Sequence, residues 1–128
     1  MPLAQLALLG LLPLPVAAQV QKERARTPQA VALQIGDRRY EALHWGKAMG
    51  LGQNGGFVTA SEAGSGQVLW ILRIYRMADE DEREGDKRDV FITALEATAD
   101  GQALVVRNER RQAFKLDLQT LRVSPWQP

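Results

Sequence analysis

From Val31 onward the chain is punctuated into strand-length apolar runs, separated by Gly, Asn, Asp and Ser, and it carries no convincing run of helical, 3.6-residue periodicity. This alternation constrains the fold more than any other feature. "VALQI" puts Val31, Leu33 and Ile35 on one face, Gly36-Asp37 supplies turn chemistry, and "RYEALHW" sets Tyr40, Ala42 and His44 opposite Glu41, Leu43 and Trp45. "FVTAS" and "QVLWILRIY" flank the turn Ala63-Gly64-Ser65-Gly66. "VFITALEA", "QALVVRN" and "FKLDL" follow, the last with Phe114, Leu116 and Leu118 inward and Lys115 and Asp117 outward. The expected fold is all-β: one small domain over residues 31–128, with about seven or eight antiparallel strands arranged as a meander, a small barrel or a sandwich. Residues 67–75 are apolar on both faces, with Val68, Trp70, Leu72 and Ile74 on one and Leu69, Ile71, Arg73 and Tyr75 on the other. That pattern predicts a central strand. The five glycines within residues 46–56 predict a surface loop without regular structure.

The N-terminus has a different character. Residues 1–19 contain no Asp, Glu, Lys or Arg, and Pro13 and Pro15 interrupt an apolar core too short to span a bilayer. Val16 and Ala18 occupy the −3 and −1 positions of a cleavage site before Gln19. Residues 1–18 therefore read as a secretory signal peptide, and residues 19–30, polar and broken by Pro28, as a flexible lead-in. No cysteine is present, so disulfides and thiolate metal sites are excluded. The expected location is periplasmic or secreted, with no transmembrane segment in the mature chain.

The hairpin at residues 57–70 presents Ala60, Glu62, Ser65, Gly66, Leu69 and Trp70 at the spacing A-x-D-x-x-T-G-x-x-L-W, with Glu in place of Asp and Ser in place of Thr. It resembles the blade hairpin of pyrroloquinoline-quinone-type β-propeller repeats. A second stretch keeps Asp117 and Thr120 at the same spacing, with Leu121 in the position of the glycine and Trp126 one residue late; Phe57 and Phe114 begin the two stretches. The resemblance implies a hairpin with a short acceptor at the turn entry, a hydroxyl bonding nearby backbone, and a tryptophan locking adjacent sheets. Two such units do not close a propeller ring. The quinone site, which a full ring builds around its channel, is not implied, and no cofactor is expected.

The chemistry-bearing residues are sparse. Net charge is +1 and the single histidine is His44, so neither a strong basic field for nucleic acid nor a transition-metal cluster is expected. His44 has no acid or nucleophile beside it in sequence, and no nucleotide, hydrolase or metalloprotease motif occurs. The acid-rich run at residues 78–89 lacks the spacing of a calcium loop and reads as a solvated connection. Arg107, Arg110, Arg111 and Lys115 cluster near one turn, either as a charged hairpin tip or as a grip on an anionic partner. No catalytic or metal-binding residue is assigned. Trp45, beside the glycine loop, and Gln53 and Asn54 within it are the expected binding residues. The expected function is that of a non-catalytic β domain binding another macromolecule, an accessory or inhibitor-type protein whose partner is a protein of the bacterial envelope. A carbohydrate- or peptidoglycan-active enzyme using His44 and a purely structural domain are the alternatives.

Overall fold

The computed structural model describes residues 27–77 and 89–127. The signal peptide, most of the lead-in and the acid-rich run lie outside them, Asp89 excepted. Eight antiparallel strands form two four-stranded sheets, each a meander in chain order. The first sheet holds β1 (Leu33–Ile35), β2 (Arg38–Leu43), β3 (Phe57–Glu62) and β4 (Val68–Arg73). The second holds β5 (Ile92–Ala97), β6 (Ala103–Asn108), β7 (Ala113–Asp117) and β8 (Val123–Pro125). The only helical element among the described residues is a 3₁₀ turn, Gly46–Met49.

The alternation seen in the sequence decides which face of each sheet turns inward. Tyr40 from β2 and Val58 and Ala60 from β3 meet Ile92 and Leu95 from β5, Leu104 and Val106 from β6 and Leu116 from β7 in one shared core. Leu33 and Ile35, Trp70 and Leu72, and Phe114 pack around it half-buried. β5 lies against β1 and β2, so the strand that opens the second sheet closes on the start of the first. Burying two such faces against each other is what stabilises antiparallel sheets with one wet side.

β4 is not central: it forms one edge of the first sheet. The apolar pattern on its two faces has another cause. A bulge between Ala60 and Ser61 pairs Ala60 with Trp70 but Ser61 with Val68, leaving an extra residue on β4. Trp70 and Leu72 stay on the core face, while Val68 is carried to the face of Ser61. Val68 and Leu69 are accordingly 53% and 39% exposed.

The turns that end β3 and β7 repeat the same bonds 55 residues apart. Glu62 N–H donates to Gln67 O at 2.9 Å and Gly66 N–H to Glu62 O at 2.8 Å; Asp117 N–H donates to Arg122 O at 2.9 Å and Leu121 N–H to Asp117 O at 2.8 Å. Gly66 sits at φ 78° and Leu121 at φ 61°. The second turn thus holds a branched side chain in a conformation that favours glycine. Leu121 packs against the core in return.

Candidate functional site

One end of the molecule gathers the glycine loop, the chain on either side of residues 78–88, and the β6–β7 turn. The glycine loop is built into the fold, contrary to the expectation of a loop without regular structure. Gly46, Gly55 and Gly56 are buried. A Cβ on Gly46 would lie 2.7 Å from the Phe57 ring, and one on Gly55 would lie 2.5 Å from Val90 O. The glycines therefore permit close approach of backbone to neighbours, and the run is the means by which the first sheet reaches the second.

The three residues expected to bind a partner all lie here, and each makes intramolecular contacts. Gln53 is 7% exposed. Its Nε2 donates to Gly55 O at 2.9 Å and to Tyr75 O at 2.8 Å, and its Oε1 accepts from Met77 N–H at 3.0 Å. Asn54 Oδ1 accepts from Lys47 N–H at 3.1 Å, and its Nδ2 donates to Asp89 Oδ2 at 3.2 Å. Trp45 is half-buried, its ring edge-on to Phe91 with centroids 5.5 Å apart. Gln53 ties the loop to residues 75–77, and Asn54 ties it to the chain entering β5.

His44 packs against the other side of Phe91's environment, at a centroid distance of 4.9 Å. Its Nε2–H donates to Pro28 O at 2.9 Å. Nδ1 is buried without a partner and so is the nitrogen without a proton in the neutral ring. Burial pushes its pKa below the ordinary value of 6.5, with the bond to Pro28 and the charge of Glu109 acting against that shift. Among the described residues, no group of His, Asp and Glu is arranged to hold a metal ion.

Beside the loop opens a cleft of about 390 Å³, lined by Tyr75, Arg76, Met77, Val90, Arg110, Gln112 and Phe114. Tyr75 and Phe114 come from opposite sheets and stack with their centroids 5.4 Å apart and their planes 22° apart. Both rings are half-buried. The Tyr75 hydroxyl donates to Val90 O at 2.6 Å, and burial raises its pKa above the ordinary 10, so the phenol remains protonated and bound. Arg76 and Arg110 are exposed, and no described residue forms an ion pair with either. The two acids nearest in sequence are engaged elsewhere: Asp89 accepts from Asn54, and Glu109 Oε1 accepts from Phe91 N–H at 2.9 Å.

The sequence reading did not assign this cleft, although one of its residues belonged to the basic cluster around the β6–β7 turn. The structure divides that cluster. Arg107 faces away from the core and reaches Glu96 at 3.4 Å, and Lys115 stands beside Val105 on the same outer face, whereas Arg110 lines the cleft. The Tyr75–Phe114 stack joins residues 39 positions apart across two sheets, and no local pattern announces it.

No known protein family matches this chain, and no curated protein matches it. No described helix is long and apolar enough to cross a membrane.

Proposed function

We propose that this chain is an exported, non-catalytic β domain that binds a protein of the bacterial envelope. The observation that carries the reading is the cleft between the sheets, where a stacked aromatic pair and two guanidinium groups with no described ion-pair partner meet at the surface. Aromatic side chains and arginines are the groups most enriched at binding surfaces, because they combine large contact area with directed hydrogen bonds. His44 is bonded to Pro28 and packed on Phe91, an arrangement that suits a structural role better than proton transfer. Export rests on the uncharged apolar character of residues 1–18 and on Val16 and Ala18.

The likeness of the β3–β4 hairpin to a propeller blade enters this reading only as architecture. It is supported by the four-stranded meander of each sheet and by the shared bonds of the turns at Glu62 and Asp117. Ser65 Oγ donates to Glu62 Oε1 at 2.7 Å, and backbone N–H groups of Gln119 and Thr120 donate to Asp117 Oδ1 at 2.8 and 2.9 Å. These are the acceptor and hydroxyl roles that the motif assigns.

Expression of the tagged chain in its native host, followed by cross-linking and N-terminal sequencing, tests the proposal. The expected result is a chain beginning at Gln19, recovered outside the cytoplasm and cross-linked to one envelope protein. A cytoplasmic chain beginning at Met1, or a purified chain that hydrolyses peptidoglycan, overturns it.

A further inference from the structure

We propose that the cleft at Tyr75 and Phe114 takes an acidic peptide segment of the partner protein, one in which a carboxylate side chain neighbours an aromatic one. The inference rests on the macromolecule-binding reading above and names the chemistry of the partner.

Three observations carry it. First, the stacked rings of Tyr75 and Phe114 are half-buried and line an open cleft, so part of the paired rings faces the space a ligand would fill. A flat apolar surface of that kind selects another ring or a branched aliphatic group. Second, Arg76 and Arg110 line the cleft with no carboxylate among its described lining residues. Asp89 and Glu109, the acids that could neutralise them, are bonded to Asn54 and to Phe91 N–H. A guanidinium offers a planar fork that matches a carboxylate, and charge-assisted bonds of this kind are stronger than neutral ones. Third, the walls are held in place. Gln53 binds the backbone of Tyr75 and Met77, the Tyr75 hydroxyl binds Val90 O, and Asn108 Oδ1 accepts from Arg110 N–H at 3.0 Å. A site whose walls are already ordered loses less entropy when a ligand enters. The cleft volume suits one or two side chains rather than a folded surface, which favours an extended peptide segment.

The test uses the full chain, labelled with ¹⁵N, and the capped tetrapeptide acetyl-Phe-Glu-Phe-Glu-amide. Titration is expected to give saturable shifts at the amides of Met77 and Gln112 and not in β2 or β8. The counterpart with Gln for Glu is expected to bind about tenfold more weakly, and Arg76→Gln and Arg110→Gln are each expected to weaken the acidic peptide by about tenfold, the loss of one charge-assisted contact. Both arginines are exposed, so the spectra of these variants away from the cleft should be unchanged. Absence of saturable shifts, equal binding of the Gln peptide, or full affinity in both variants overturns the proposal. Cross-linking in the native host then separates this inference from the reading beneath it. If the Arg76→Gln/Arg110→Gln double variant still captures the envelope partner that the unaltered chain captures, the cleft is not the site, although the binding reading stands. If the unaltered chain captures none, the binding reading itself fails, whatever the peptide does.

Discussion

His44 concentrates several physical constraints in a single side chain. Its Nε2–H is committed to Pro28 O, its Nδ1 is buried without an acceptor, and its ring is edge-on to Phe91. A second proton on Nδ1 would place charge where neither water nor a protein acceptor can solvate it, so burial lowers the folded-state pKa below 6.5. The unfolded chain then binds more protons than the folded one as pH falls below 6.5. Stability is therefore full above that pH and is lost progressively as pH falls toward the folded pKa. His44→Gln keeps a donor for Pro28 O and removes the titration. Thermal unfolding at pH 7.5 and pH 5 should show the unaltered chain losing more stability than the variant on acidification. An equal loss in both would show that other groups set the acid response. The sequence showed that His44 has no acidic or nucleophilic neighbour in the chain, but its partner, Pro28, lies 16 residues upstream in a stretch read as a lead-in, and nothing in the local pattern connects the two.

At the scale of the element, β4 shows why a correct alternation still misplaced a strand. The residues at 70 and 72 do face the core, and Phe114, Leu116 and Leu118 do pack inward, because period-2 patterning records which side of a strand is dry. Patterning does not record the strand's neighbours. A bulge shifts the register by one residue at Leu69, and apolar groups that looked like the second buried face of a central strand become the partly exposed face of an edge. The hairpin itself, its turn and the packing of Trp70 on Tyr40, with centroids 6.0 Å apart, were legible because they depend on residues close in sequence or on one large side chain. Trp70 is half-buried, so Trp70→Ala should cost about 2–4 kcal/mol, at and below the lower end for large aromatic truncations. Trp45, which contacts Phe91 from the loop, should cost less, about 1–2 kcal/mol, because its truncation removes an edge contact outside the shared core. Denaturant unfolding of the two variants checks the order. If Trp45→Ala proves the more damaging, the glycine-loop end rather than the β4 edge is the weaker part of the fold.

For the whole molecule, the question is whether two four-stranded meanders behave as one folding unit or two. Each sheet takes its hydrogen bonds from its own strands, since β1 to β4 pair only with one another and so do β5 to β8. Nothing in the ladders couples the sheets. The coupling lies in side chains and at the loop end: Val58 and Ala60 share a core with Leu104 and Val106, and the glycine loop presses Gly55 against Val90 and Phe91 at the entrance to β5. An apolar core shared between sheets makes local opening of one expose the buried face of the other, which is the physical basis of a cooperative unit. Gly55→Ala tests this directly. Its Cβ would come 2.5 Å from Val90 O and 3.0 Å from the Phe91 ring, so backbone or ring must move. Overpacking of that kind typically costs about 1–3 kcal/mol. The substitution touches neither β3 nor β6. In native-state hydrogen exchange, the amides of Val58 and Ala60 in one sheet and of Leu104 and Val106 in the other should nevertheless lose protection by the same free energy, because both can exchange only when the shared core opens. Loss confined to the β5–β6 side would mean that the sheets open separately, each stable without the other, and that the aromatic cleft between them is a joint between two units rather than a groove in one.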